Sequence, residues 1–180
     1  MGSNKSKVVI KKNEMLTDSV TTWITKFLDI PSKTLNNLPP CPFAKQALLT
    51  NKIKIHEITP MSHISMRDYF VAEMENYTYH WPKGKEVVVL GCDPSLITAD
   101  ELEESIEIAT EKFLEKRGYI ALEDHPDHVE QVDDLVFNQG EYALVLVQEA
   151  DKLVKARKIL KKQNYYKNWP EEYYEDVVDR

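Results

Sequence analysis

Hydrophobic residues near the start of the chain recur at the spacing of one face of a helix. They are Val20, Trp23, Ile24, Phe27 and Leu28. Thr17 or Asp18 can cap the N-terminus of such a helix, and Pro31 cannot continue it. We therefore predict a first helix between these residues, with its apolar stripe turned toward a core.

The rest of the chain alternates between strand patterns and helix patterns. Alternating positions and short β-branched runs predict strands at residues 52–58, 87–90, 119–122 and 142–147. Helical spacing predicts helices at residues 42–49, from 62 or 65 to just before 81, at 98–117 and at 149–163. The helix after Thr98 has the clearest signals, because Thr98 and Glu101 form a capping box and Gly118 suits a left-handed C-cap.

A long polar segment, residues 123–141, separates the last two predicted strands. It can contain a short helical turn over residues 129–136. Loops of this length in a compact domain usually have a function of their own. We therefore expect the segment to be functional or to be ordered by a ligand.

These elements predict a single α+β (or α/β) domain over residues 15–164. It has a sheet of about four strands with helices mainly on one face, is similar to an α/β plait, and is preceded by two N-terminal helices. Residues 1–14 are expected to be a mostly mobile arm, in which Val8–Ile10 can pair as a short edge strand. Residues 165–180 are predicted to be an acidic, aromatic tail.

Charge and composition narrow the classes of partner. The chain has 180 residues, of which 30 are acidic and 23 basic, and its formal net charge is −7. Such a field repels phosphate backbones and anionic lipid, so we expect no nucleic acid and no membrane as partner. The basic residues of 155–162 are interpreted as a solvated helix face.

The chain has two cysteines, and their spacing is not that of a disulfide framework. It also has no apolar run near the ~18 residues of a membrane span. Both features favour a soluble cytoplasmic protein.

Cys41 is the first residue that suggests chemistry, because it lies between two prolines. If Pro42 begins a helix, the amide dipoles at the helix N-terminus and Lys45 one turn later favour the thiolate. The alternative is a rigid turn with an inert cysteine. Burial beneath Trp23 and Phe43 raises a thiol pKa, so a protected thiol is the expected state.

The second suggestion of chemistry is residues 124–128, Asp-His-Pro-Asp-His, at the end of the third predicted strand. His125 and His128, with carboxylates beside them, can supply metal ligands or an acid/base pair. A divalent transition metal is the cofactor that these ligands suggest, and the third ligand must come from elsewhere. The alternative is that the histidines stabilise the loop. Haem capture by Cys41 followed by Pro42 is a remote alternative, because Cys-Pro pairs are frequent.

Two of these segments resemble a widespread bacterial family of uncharacterised proteins. Leu38–Lys45, Leu-Pro-Pro-Cys-Pro-Phe-Ala-Lys, follows a Trp23-bearing helix, and His125–Asp127, His-Pro-Asp, follows a strand. The resemblance spans roughly residues 17–160 and departs at residues 129–142, where the family has an Asn-Arg-Ser-Pro-like stretch. It implies a site at the two segments, and it implies no reaction because the family has no assigned activity.

Two functions are compatible with these features. The first is a small-ligand or metal-dependent enzyme whose site joins the Cys41 turn to the His125–His128 loop. Its candidate catalytic residues are Cys41, His125 and Asp127, its ligand-binding residues Trp23, Pro42, Phe43, Lys45 and His56, and its metal ligands His125 and His128. The alternative is a non-catalytic protein-binding or regulatory module that uses the tail. A further interpretation of the tail is that its aromatic side chains fold back on the domain and cover its edge.

Overall fold

The computed structural model describes residues 14–178. Residues 14–23 form an α-helix that continues as a π-helix over Ile24–Leu28, and together they make α1. The other helices are α2 (Ala44–Leu49), α3 (Met66–Tyr79), α4 (Ala99–Ala109, continued by a π-helix over Thr110–Leu114 and a last turn over Glu115–Arg117), α5 (Ala150–Lys162) and α6 (Glu171–Val178). The strands are β1 (Ile53–Glu57), β2 (Val87–Cys92), β3 (Tyr119–Asp124), β4 (Gln131–Val132), β5 (Leu135–Val136) and β6 (Ala143–Glu149). The predicted strand at Val8–Ile10 lies outside the described residues.

Four strands form one mixed sheet in the order β1-β2-β6-β3. β1 and β2 are parallel, and β6 is antiparallel to both β2 and β3. Strands β1, β2 and β3 therefore run in the same direction and end at the same edge, which we call the carboxyl edge. Their last residues are Glu57, Cys92 and Asp124, and β6 begins at this edge with Ala143, opposite Cys92.

The side chains of the sheet alternate between two covered faces. On one face Val88 packs with Phe70 of α3 and Leu102 of α4 in the larger core cluster. On the other face Val89 packs with Leu16 and the rest of the apolar stripe of α1, and α2 joins this second cluster. The structure is therefore an α+β fold with a four-stranded sheet, as the sequence predicts. The two N-terminal helices cover the face of the sheet that α3 and α4 leave open.

α1 lies close to the sheet at Gly91 of β2. A Cβ atom at Gly91 would lie 2.8 Å from Leu16 Cδ1 and 2.9 Å from Leu144 Cδ2. Both distances are shorter than van der Waals contact. The absence of a side chain at Gly91 is thus what lets α1 approach the strand.

The helix predicted after Thr98 is present with its signals intact. The Thr98 hydroxyl accepts a hydrogen bond from the Glu101 N–H, the Glu101 carboxylate bonds back to the Thr98 N–H, and Gly118 ends the helix with φ of 74°. Two other predicted helix starts are wrong. α1 already includes residue 14, and α2 begins at Ala44, so Pro42 lies in the preceding turn.

The predicted helical turn over residues 129–136 is also wrong, because this segment forms the β4–β5 hairpin. Asp133 adopts the left-handed conformation, with φ of 52°, in the turn between the two strands. Val132 is fully buried, and Leu135 packs against buried Leu35. The partners of these apolar residues come from distant parts of the chain, so tertiary packing overrides the local helical spacing.

The C-terminal segment folds against the domain. Leu35, Leu160 and Tyr165 are buried together, and Leu38, Leu135, Phe137, Tyr166 and Trp169 pack around them; we call this group the tail cluster. The Tyr165 hydroxyl donates to the Pro40 carbonyl oxygen at 2.7 Å. The aromatic side chains of the tail thus cover the domain, which favours a structural role for them over contact with a partner. None of the helices within residues 14–178 has the length and apolar character needed to cross a bilayer.

Candidate functional site

Cys41 lies in the turn between α1 and α2, half-buried beside the second core cluster. Its N–H donates to the Leu28 carbonyl oxygen at 3.0 Å, at the end of α1. Burial raises the pKa of the Cys41 thiol, and the backbone amides of Phe43 and Ala44 oppose that rise. These surroundings favour the protected thiol over a reactive thiolate.

The other residues predicted around Cys41 have partners of their own. Lys45 forms an ion pair with Asp29, with 2.6 Å between Nζ and Oδ2. His56 faces α3, where its Nδ1 lies 3.1 Å from the Tyr77 hydroxyl and 3.6 Å from a carboxylate oxygen of Glu73. Phe43 is exposed and Pro42 half-buried. The structure therefore does not gather these residues into one ligand site.

His125 is buried at the start of the long loop, with 2% of its surface exposed. The Asp127 N–H donates to Nδ1 at 3.1 Å, and Nε2 lies 3.0 Å from the Ile97 carbonyl oxygen. Because Nδ1 accepts a hydrogen bond, Nε2 carries the hydrogen that it donates to the Ile97 carbonyl oxygen. Both nitrogens are occupied. The geometry favours the interpretation that His125 stabilises the loop over a role as a base or a ligand.

The structure does not bring Cys41 and His125 together. Leu16 of α1 packs beside Leu144, which pairs with Asp124 at the carboxyl edge. The Leu28 carbonyl oxygen accepts the Cys41 N–H. Leu28 follows Leu16 by twelve residues in α1, so the two residues lie about 18 Å apart at the rise of a helix. His125 reaches Ile97, which belongs to the core on the opposite face of the sheet.

The predicted metal ligands are not arranged as a metal site. The His128 N–H donates to the His125 carbonyl oxygen at 3.0 Å, so the two residues share a turn. Over residues 14–178, no three side chains of His, Cys, Asp or Glu are placed to hold a metal ion.

A cleft of about 550 Å³ lies between α1 and the segment that leads into β6. We call it the α1 cleft. Three aromatic rings line it, those of Trp23, Phe27 and Tyr142, together with the carboxylates of Asp18 and Glu141. Trp23 is the one ligand-binding residue predicted from the sequence that lies in this cleft. Its Nε1 is buried and finds no hydrogen-bond acceptor in the part of the chain that the structure describes.

Carboxylates surround the Tyr142 wall of the α1 cleft. Burial raises the pKa of the Tyr142 phenol, and the charges of Glu57, Glu141 and Asp93 raise it further. Glu57 ends β1 and Asp93 follows β2, so both lie at the carboxyl edge. The Ser19 hydroxyl donates to Glu141 at 3.1 Å and joins the two walls of the cleft. The local potential is therefore negative and attracts cations.

Asp124 is a buried carboxyl at the same edge, with 6% of its surface exposed. The Asn138 side-chain amide donates to its Oδ1 at 3.1 Å. Its Oδ2 is buried and has no hydrogen-bond partner of ordinary geometry among residues 14–178. Burial raises the pKa of Asp124 to about 7; the Glu130 charge raises it further, whereas Asn138 and the Gly140 amide oppose the rise.

The chain matches no known protein family, no curated protein and no solved structure. The resemblance to an uncharacterised bacterial family stays a prediction. Function is therefore inferred from the geometry of the carboxyl edge and the α1 cleft.

Reasoning from the sequence did not nominate Tyr142 or Glu141, and it considered Asp124 only as a carboxylate beside His125. One signal could have found this region, since the three parallel strands end at or one residue before the acidic residues Glu57, Asp93 and Asp124. Ligands of α/β sheets bind at the carboxyl ends of strands. The signal becomes visible only once the strand directions are known.

Proposed function

We propose that this domain binds a small organic cation in the α1 cleft. The observation that carries the proposal is the combination of three aromatic rings, Trp23, Phe27 and Tyr142, with two carboxylates, Asp18 and Glu141, in one cleft. A cation over the face of an aromatic ring gains about 0.5–1 kcal/mol when exposed and about 2 kcal/mol when desolvated. Several rings together with carboxylates therefore favour a positively charged ligand over a neutral one.

The size and charge of the cleft support the same class of ligand. Its volume of about 550 Å³ lies within the range of small-molecule sites. Lys26 lines the cleft as well, eight residues after Asp18 and therefore about 12 Å further along α1. The positive group of the ligand thus belongs at the end formed by Asp18 and Glu141. The carboxylates of Glu57, Glu141 and Asp93 around Tyr142 attract a positive group to the same end of the cleft.

This proposal retains Trp23 from the sequence prediction and assigns no catalytic role to Cys41, His125 or Asp127. Burial raises the pKa of the Cys41 thiol, and both ring nitrogens of His125 lie in hydrogen bonds. The aromatic residues of the tail cluster pack against Leu35 and Leu160 of the domain, so we propose no binding partner for them.

Two commercially available cations, choline and 1,5-diaminopentane, test the proposal by NMR titration. Choline has an uncharged counterpart of the same shape, 3,3-dimethylbutan-1-ol. We expect saturable shifts of the Trp23 and Tyr142 resonances with at least one cation, and much weaker shifts with the alcohol. Glu141→Gln should raise the Kd about twofold to fivefold, as loss of a partly exposed charge pair does.

The matched control is Glu172→Gln, an exposed glutamate of α6, which should leave the Kd unchanged. Absence of saturable shifts at Trp23 and Tyr142 with both cations would show that the proposal is wrong. Equal affinities for choline and the alcohol would have the same meaning, because they would show that charge does not contribute.

A further inference from the structure

We infer that a proton on Asp124 is a switch that holds residues 138–142 against the sheet, and that loss of this proton releases them. The inference is independent of the organic-cation proposal, because it concerns the packing of this segment and not its ligand.

The first support is the contact between Asp124 and Gly140. A Cβ atom at Gly140 would lie 2.6 Å from Asp124 Oδ2, so the backbone of residue 140 lies directly over the carboxyl group. Glycine permits this approach because it has no side chain. The Gly140 amide favours the charged form of the carboxyl group, but burial outweighs it and favours the neutral form, because a buried charge is costly.

The second support is a chain of hydrogen bonds from Asp124 to the C-terminal helix. The Asn138 side chain donates to Asp124 at 3.1 Å and accepts from the Glu130 N–H at 2.6 Å. The Tyr173 hydroxyl of α6 donates to the Glu130 carboxylate at 2.9 Å. A change in the charge of Asp124 therefore acts on the loop, on the hairpin and on α6.

The charged groups around Asp124 favour its neutral form. The Glu130 carboxylate, from the hairpin side, repels a negative charge on Asp124. Both ring nitrogens of His125 lie in hydrogen bonds to backbone groups, Glu123 lies on the other face of β3, and the facing residue of β6 is apolar Leu144. No lysine or arginine within residues 14–178 forms an ion pair with Asp124. Burial and repulsion together raise its pKa to about 7.

The direction of the switch follows from proton linkage. When the segment opens, Asp124 regains an ordinary carboxyl pKa of 3.8. The opened form therefore loses its proton at a lower pH than the closed form. The equilibrium constant for opening then rises up to about tenfold per pH unit between about pH 4 and 7, and it levels off above pH 7. Because Gln139, Glu141 and Tyr142 line the α1 cleft, opening also removes one wall of the cleft.

Hydrogen–deuterium exchange of the free protein at pH 5 and pH 7, corrected for the intrinsic pH dependence of exchange, tests the switch. We expect the corrected exchange of residues 138–142 to increase at least tenfold at pH 7. In Asp124→Asn, which keeps the shape of the neutral carboxyl group, it should change less than twofold. Asp127→Asn, an exposed neighbour, is the matched control and should behave like the unaltered protein.

A carbon-13 NMR titration of the Asp124 carboxyl group gives a second measurement, which remains decisive if Asp124→Asn fails to fold. We expect a midpoint near 7 in the unaltered protein and a lower midpoint in Glu130→Gln, in which the repelling charge is removed. A midpoint below pH 5, or an Asp124→Asn protein with the same pH-dependent exchange as the unaltered one, would overturn the inference. Neither measurement uses a ligand, so its outcome is separate from that of the cation titration.

Discussion

The two cysteine thiols of this chain lie in different surroundings. Cys92, the last residue of β2, is fully buried, and burial followed by the charges of Asp93 and Glu57 raises its pKa to about 12. Cys41 is half-buried in a surface turn, where burial still raises its pKa despite the opposing backbone amides. Neither thiol is therefore activated as a nucleophile in the folded protein.

We predict that iodoacetamide modifies Cys41 slowly at pH 7 in the folded protein. The rate should be about a tenth or less of the rate in the denatured chain, because only the thiolate reacts and burial disfavours it. Mass spectrometry of the labelled peptides distinguishes Cys41 from Cys92. Rapid labelling of Cys41 in the folded protein, with Cys92 unmodified, would show that the turn activates the thiol instead of protecting it.

Asp124 makes the stability of the protein depend on pH. Its pKa is 3.8 in an ordinary environment and about 7 in the fold. Between these values the folded protein keeps a proton that the unfolded chain has lost. The contribution of Asp124 to stability is therefore present in full below about pH 4 and is lost as the pH rises toward 7.

We predict that Asp124→Asn removes this dependence. The free energy of unfolding of the unaltered protein, relative to that of Asp124→Asn, should fall by about 2–4 kcal/mol between pH 4 and pH 8. Urea unfolding of both proteins at several pH values measures this difference and cancels the contributions of other carboxyl groups. Parallel stability curves for the two proteins would mean that Asp124 titrates at its ordinary pKa in the fold.

At the scale of elements, the boundaries of a helix with strong local signals depend on its own residues, whereas the position of the C-terminal segment depends on tertiary contacts. α4 has a capping box at Thr98 and a left-handed glycine at its end, so its boundaries depend on its own residues. α5 is mostly exposed, and only Leu160 near its end is buried. That residue is buried by Leu35 and Tyr165, so the position of this end of α5 depends on the tail cluster.

We predict that deleting residues 165–180 destabilises the domain. The deletion exposes Leu35 and Leu160 and removes the hydrogen bond from Tyr165 to Pro40. A loss of roughly 3–5 kcal/mol should lower the melting temperature by about 10 °C. Calorimetry measures the change, and Glu171→Gln with Glu172→Gln serves as a control that alters only exposed charge. An unchanged melting temperature would indicate that the tail serves a partner and not the fold.

At the scale of the whole molecule, the structure has three layers: α1 and α2, the sheet, and α3 with α4. At Gly91, Leu16 of α1 closely approaches the backbone of β2. This contact sets the distance between α1 and the sheet. It also affects the α1 cleft, because α1 supplies one of its walls.

We predict that Gly91→Ala costs about 1–3 kcal/mol of stability, because the added methyl group overpacks the contact with Leu16 and Leu144. Leu16→Ala alone should cost about 2–5 kcal/mol. The double substitution should cost less than the sum of the two, because removal of the Leu16 side chain makes room for the methyl group. Urea unfolding of the three variants measures this coupling, and additive costs would show that α1 moves away without strain.

The sequence by itself determined most of the elements, because they depend on residues a few positions apart. The apolar stripe of α1, the capping box at Thr98, the left-handed Gly118 and the alternation in β1 all act locally. Local patterns of this kind predict the four strands of the sheet, the α+β class and the positions of the main helices. Local pattern failed at the β4–β5 hairpin, where Val132 and Leu135 are fixed by contacts with distant residues.

Only the tertiary structure decided which residues share a site. Insertion of β6 between β2 and β3 places Tyr142 at the carboxyl edge, and the packing of α1 on the second face forms the cleft beside it. The same arrangement separates Cys41 from His125, although both segments stand out in the sequence. Strand order depends on pairing between residues far apart in the chain. The burial that raises the pKa of Asp124 depends on it as well, and no local pattern records either one.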